Sequence, residues 1–250
     1  MSKPNMNHIS KVVVFDLDET LGYFIEFGIF YELVVRYLNP QQSDKINLFC
    51  GLLDLYPEVL RPNVWSVFKY LIKKKEKGLC SKILIYTNNQ GPKEWTLMIK
   101  TFIHRKLNYE LFDKVIGAFK INGIVREVCR TTSDKTTSDL VRCAKLPNRT
   151  QICFIDDVYY ENMDDVYYIK VNPYIHNISI NIMVSRFLNH DVSSNFGITD
   201  SKRSQFIEYM RIKIKSYKYT YISKTNEEYD IDKIVTKQLM ILLQEFFKSN

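Results

Sequence analysis

The chain is predicted to fold as an α/β protein with a central parallel sheet, and two patterns carry that prediction. Short, continuous apolar runs occur at Lys11–Phe15, Ile83–Tyr86, Val115–Phe119, Ile152–Ile155 and Tyr167–Val171. Unbroken runs of this kind suit strands buried on both faces. Between them lie segments with apolar residues at helical spacing, and strands that alternate with helices imply crossover connections and a parallel sheet.

The elements follow in order. Lys11–Phe15 is the first strand. Residues 21–60 are aromatic and apolar with a polar break at Asn39–Lys45, and they read as an insertion without a legible fold. Arg61-Pro62-Asn63 opens a helix in which Val64, Val67, Phe68, Leu71 and Ile72 share one face, and Gly78 supplies its stop. Ile83–Tyr86 is the second strand. Thr87-Asn88-Asn89-Gln90-Gly91 is a turn, and Pro92 suits the first position of a helix bearing Trp95, Met98, Ile99 and Phe102. Val115–Phe119 is a third strand, Ser138–Ala144 a helix, Ile152–Ile155 a fourth strand and Tyr167–Val171 a fifth. Beyond residue 176 the stretch Arg211–Ile222 alternates basic with aromatic or apolar residues, as a strand would. Asp230 can cap a last helix with Ile231, Val235, Leu239, Leu242 and Phe246 on one face. The domains expected are 1–176, with the insertion at about 21–60, and an extension at 177–250 packed on the core.

Composition sets the bounds. With 250 residues, 46% of them hydrophobic, the chain can bury a full core, which argues against global disorder. A net charge of +7 favours acidic partners, phosphoproteins or nucleic acid among them. The five cysteines form no CxxC pair and read as buried thiols of a reducing compartment. Met1–Ser10 is polar and lacks the apolar core of a secretory signal. No stretch approaches the ~18 apolar residues of a membrane span. The expectation is an intracellular protein, cytoplasmic or nuclear, with no membrane partner.

Chemistry concentrates where the runs end. Asp16 and Asp18 directly follow the first strand, and Asp156 and Asp157 follow the fourth. Thr87 and Asn88 follow the second strand, and Lys135 lies between the third and fourth. Ligands of parallel α/β sheets bind at the carboxyl ends of the strands, so clusters far apart in sequence can converge there. Two acidic clusters suit a hard, oxygen-ligated cation such as Mg2+. A hydroxyl and an ammonium suit phosphoryl oxygens, which completes an inventory for phosphoryl transfer. A rival pattern, Cys143 and Arg149 at the Cys-x5-Arg spacing, lacks the Gly-rich loop of backbone N–H groups that such chemistry needs. The four histidines are scattered and form no metal spacing.

These residues resemble the haloacid dehalogenase superfamily of phosphotransferases and, within it, the RNA polymerase C-terminal-domain phosphatase branch, the Fcp/Scp-like phosphatases. The resemblance spans about residues 11–175 and rests on Asp16-Leu17-Asp18-Glu19-Thr20-Leu21, Leu60-Arg61-Pro62, Ile83–Thr87, Lys135 and Ile152–Asp157. It implies a Rossmann-like three-layer fold and a Mg2+-dependent phosphatase working through an aspartyl-phosphate. Asp16 is then the nucleophile and Asp18 the acid/base. Thr87, with Asn88 beside it, and Lys135 hold the phosphoryl group. The metal is held by Asp16, the backbone carbonyl of Asp18 and the Asp156/Asp157 pair, with Asp157 the favoured direct ligand. Lys120, Lys145 and Arg130 remain alternatives to Lys135. Glu19 receives no catalytic role and is either a turn residue or one that supports the site from behind.

The segment after the first motif lacks the branch's small β insertion, and Asn88-Asn89-Gln90-Gly91 departs from its small residues. Residues 21–60 and 96–134 are short for a large lid, which predicts no large cap and an open site that a phosphoprotein or phosphopeptide can enter. The substrate expected is phosphoserine or phosphothreonine in a protein. The competing expectations are a small-molecule or nucleic-acid-end phosphatase, or a weakly active binding module using the tail. Between Lys202 and Lys224 that tail carries seven Lys or Arg residues against the single acid Glu208, interleaved with Tyr209, Tyr217, Tyr219 and Tyr221.

Overall fold

Five parallel strands run in the order β3-β2-β1-β6-β7, with β1 (Lys11–Phe15) at the centre. This is a computed structural model, and it describes residues 10–176, 178–218 and 221–249. The N-terminal leader discussed above, apart from Ser10, and Tyr219 of the tail lie outside the described residues. The central strands β1, β2 (Lys82–Tyr86) and β6 (Gln151–Asp156) are buried almost throughout, as their unbroken apolar runs require. The edge strands β3 (Lys114–Ile116) and β7 (Tyr167–Lys170) are shorter than expected. Phe15 pairs with Ile85 on one side and Ile155 on the other, so the carboxyl ends of the three central strands are level.

The described residues divide into two compact units, cut after Leu21, Arg61, Tyr174 and Tyr229. Residues 10–21, Pro62–Tyr174 and 230–249 form the sheet unit. Its helices are α3 (Val64–Glu76), α4 (Lys93–Leu107) and α5 (Thr137–Ala144), together with most of α9 (Asn226–Lys248). Helix α3 buries Val64, Val67, Phe68 and Leu71 and stops before Gly78, which takes a positive φ of 69°. Helix α9 buries Asp232, Thr236, Leu239, Leu243 and Phe246, a face turned from the expected one, and Asp230 lies inside the helix rather than capping it. Its last turns dock firmly: Lys11 Nζ donates to the Phe246 carbonyl at 2.7 Å, and Phe246 packs on Tyr167 with ring centroids 5.6 Å apart.

Between β3 and α5 a small hairpin pairs β4 (Lys120–Ile121) with β5 (Ile124–Val125) across Asn122-Gly123, both at positive φ. Asn-Gly is the dipeptide that favours this turn. Cys129 and Cys143 form a disulfide with Cα atoms 5.1 Å apart, which corrects the expectation of five free thiols. Cys50, Cys80 and Cys153 are free. The disulfide also removes Cys143 as a thiolate nucleophile.

The second unit joins Gly22–Arg61 to Ile175–Tyr229 and is helical. It contains α1 (Ile25–Leu38), α2 (Lys45–Leu55), α6 (Ile180–Leu188), α7 (Asp191–Asn195) and α8 (Asp200–Ile214). Aromatic rings fill it: Phe30 meets Tyr56 at 5.6 Å and Phe187 at 5.9 Å, and Phe187 meets Phe206 at 5.6 Å. The segment after the first motif is therefore not a small insertion by itself but half of a second unit. The strand expected at Arg211–Ile222 is replaced, as far as Ile214, by helix α8, which Phe206 and Met210 anchor one turn apart. Tyr209 packs on Tyr37 at 5.1 Å and Tyr217 donates to Glu32 at 2.9 Å, so these tail aromatics serve the unit's packing. Among the described residues, no helix is long and apolar enough to cross a membrane.

Candidate active site

Sheet order places a switch point at β1, where the neighbouring strands β2 and β6 lead in opposite directions across the sheet. That is where open α/β sheets gather ligands. The level ends of β1, β2 and β6 bring Asp16, Thr87 and Asp156 there together. The Asp16 amide still donates to the Ile155 carbonyl at 2.9 Å, so Asp16 is held to the sheet. Past Asp18 the chain turns sharply: Glu19 has a positive φ of 59°, and the Leu21 amide reaches back to the Leu17 carbonyl at 2.9 Å. Glu19 is thus a turn residue.

One cation holds the centre. Lys135 is 1% exposed, and its ammonium donates to Asp16 Oδ1 and, at 2.6 Å, to Asp156 Oδ2. Its place is fixed from both sides. Before it, Arg130 donates to the carbonyls of Ser133 at 2.9 Å and Asp134 at 3.1 Å. After it, Thr136 caps α5 by accepting from the Asp139 amide at 3.1 Å. Of the alternatives, Lys120 and Lys145 are exposed and form no ion pair with these carboxylates. Arg130 is buried, with its guanidinium 4.8 Å over the Tyr86 ring, and it supports the Lys135 loop.

Carboxylate oxygens of Asp16, Asp156 and Asp157 lie within 4.8 Å of one another. Thr20 clamps Asp157 by donating to Oδ1 at 2.8 Å and accepting from the Asp157 amide at 3.0 Å. Asp156 is occupied at both oxygens, by Lys135 and by the Val158 amide at 2.8 Å. Asp16 and Asp157 each keep a second oxygen, which fits the preference for Asp157 as the direct ligand. Three carboxylates face one ammonium, and the donors are hard oxygens without His or Cys, so the set suits Mg2+ or a similar cation.

Burial pushes the Asp16 carboxyl up to about 6 and Asp156 up to about 7, while the Lys135 ammonium pulls both down. Burial works against the charge on Lys135, but Asp16 and Asp156 outweigh it and raise its pKa. Burial also raises Asp18, opposed by a hydrogen bond from Asn89. A bound cation would relieve this crowding of carboxylates.

The other expected residues divide. Thr87 is buried beside the cluster, and its Oγ1 accepts from the Asn89 amide at 3.0 Å, which leaves the hydroxyl proton for a ligand. Asn88 accepts from Arg130 at 2.8 Å and donates to the Tyr160 hydroxyl at 3.2 Å, so its side chain is tied into the loop with one amide N–H to spare. Thr20 and Asn89 are not signalled as site residues by the sequence, and Arg130 is signalled only as an alternative to Lys135. All three work through neighbours in space that their local sequence does not signal. No protein family, no curated protein and no solved structure matches this chain.

Proposed function

We propose that the chain is a Mg2+-dependent phosphomonoesterase of the haloacid dehalogenase type, working through an aspartyl-phosphate on Asp16. The observation that supports this best is the buried Asp16–Lys135–Asp156 bridge, with Asp157 beside it, at the carboxyl end of the central strand. Lys135 holds Oδ1 of Asp16, an oxygen whose second lone pair a metal would share, and leaves Oδ2 to attack phosphorus. As the new Asp16 O–P bond forms and the ester P–O bond breaks, Asp18 gives its proton to the leaving oxygen. Asp18 then takes a proton from the water that attacks the acyl phosphate, which releases inorganic phosphate and restores Asp16. Lys135 and the Thr87 hydroxyl offset and orient phosphoryl oxygens throughout. A Mg2+ ion on Asp16, Asp157 and the Asp18 carbonyl would neutralise the phosphoryl charge.

Phosphoserine or phosphothreonine in a protein remains the substrate the resemblance implies. The argument from a short insertion no longer supports it, because Gly22–Arg61 is part of a larger helical unit. A panel of phosphopeptides, small alkyl phosphates and 3′- or 5′-phosphorylated oligonucleotides, assayed with Mg2+ and with EDTA, tests both parts. Mg2+-dependent phosphate release from at least one class is expected. Release undiminished in EDTA, or none from any class, would contradict the reading.

A further inference from the structure

We propose that Asn89 is a positioning residue that aims Asp18 at the leaving group. The inference rests on the reading of Asp18 as the acid/base. Asn89 Nδ2 donates to Asp18 Oδ2 at 2.8 Å. The orientation of that amide is fixed by its other end, because Asn89 Oδ1 accepts from the Gly91 amide at 2.9 Å. The Asn89 backbone amide in turn donates to Thr87 Oγ1 at 3.0 Å. One residue thus ties the turn after β2 to Asp18 on the loop after β1 and to the Thr87 hydroxyl.

Gly91 is part of the device. A Cβ at position 91 would lie 2.8 Å from Asn89 Oδ1, so any larger residue displaces the amide. Asp18 itself is only half-buried, and a carboxyl carried on a sharp turn needs a second anchor to present its proton in one direction. The Asn89-Gln90-Gly91 stretch that departs from the small residues of the resembling branch supplies that anchor.

The test separates positioning from packing by the leaving group. An alkyl alcohol leaves only when protonated, whereas 4-nitrophenol leaves well without a proton. Asn89→Ser keeps a side-chain acceptor for the Gly91 amide but cannot reach Asp18. Its kcat/KM on an alkyl phosphate should fall roughly 10- to 100-fold, and on 4-nitrophenyl phosphate by no more than about 3-fold, because kcat/KM reports only the steps through transfer to Asp16, whereas Asp18 activates water in a later step common to both esters. Gly91→Ala, which leaves Asn89 in place but shifts it, should show the same selective loss to a smaller degree. Equal losses of kcat/KM on both esters, or an unchanged kcat/KM on the alkyl ester, would overturn the inference while leaving the proposed function standing. A wild-type protein that releases phosphate in Mg2+ from neither ester nor any other member of the substrate panel would overturn both.

Discussion

Replacing Lys135 with Met should destabilise the sheet unit in a pH-dependent way. Methionine keeps most of the apolar stem but removes the ammonium that joins Asp16 to Asp156, and both carboxylates stay buried. Removing one partner of a buried ion pair costs about 3–5 kcal/mol. For a chain of this size each kcal/mol moves Tm by about 2–4 °C, so a loss of roughly 6–20 °C is expected at pH 8. The sign of the pH dependence follows from the carboxyls. Both are raised in the folded state above the unfolded value near ~3.9, to about 6 for Asp16 and about 7 for Asp156. Lys135 pulls both down, so its loss raises them further. A raised carboxyl favours folding while it holds its proton and disfavours it once ionised, so the penalty grows as pH rises through the folded pKa values. The gap between variant and wild type should therefore be wide at pH 8 and narrow at pH 5. The chain's two tryptophans, Trp65 and Trp95, both lie in the sheet unit, so tryptophan fluorescence melts in EDTA follow that unit. A variant melting within 2 °C of wild type at pH 8, or one with a wider gap at pH 5, would refute the reasoning.

Three further outcomes are expected. Asp157→Ala should weaken Mg2+ binding, measured by calorimetry, more than Asp156→Ala, because Asp156 spends both oxygens on protein donors; the reverse order would move the ligand role to Asp156. Cys143→Ser should lose about 3 kcal/mol under non-reducing conditions, the loop-closure value for the 14-residue separation, and dithiothreitol should remove the difference from wild type; equal denaturant midpoints without reductant would mean the bridge does not form in solution. Truncation after residue 176 removes α6–α8 from the helical unit and α9 from the sheet unit, so the shortened protein should melt earlier than the full chain; an unchanged melt with loss of salt-sensitive nucleic-acid binding would recast the tail as a binding arm.

The strands that build the site were readable because central parallel strands need apolar residues on both faces, which leaves β1, β2 and β6 as unbroken runs. Asp16, Asp18, Thr87, Asp156 and Asp157 were readable because they sit at or beside the ends of those runs. Lys135 was not singled out by its local sequence, since its position depends on Arg130 behind it and the Thr136 cap ahead. The hairpin at Asn122-Gly123 carried a local signal that passed unread. The second unit carried none, because its halves are separated by more than a hundred residues and only their packed rings reveal the pairing. In Arg211–Ile214 the alternation of Ile with basic residues imitates a strand, but the chain continues a helix begun at Asp200 and pinned by Phe206 and Met210. Tertiary packing overrode the local pattern there.

The central claim is that Asp16 carries the phosphoryl group. Quenching the protein during turnover and reducing it with borohydride converts an acyl phosphate to the corresponding alcohol, so peptide mass spectrometry should find homoserine at position 16. Asp16→Asn should still fold, give no such product and release no phosphate. Homoserine at another position, or phosphate release by Asp16→Asn above a few percent of wild type, would contradict the account.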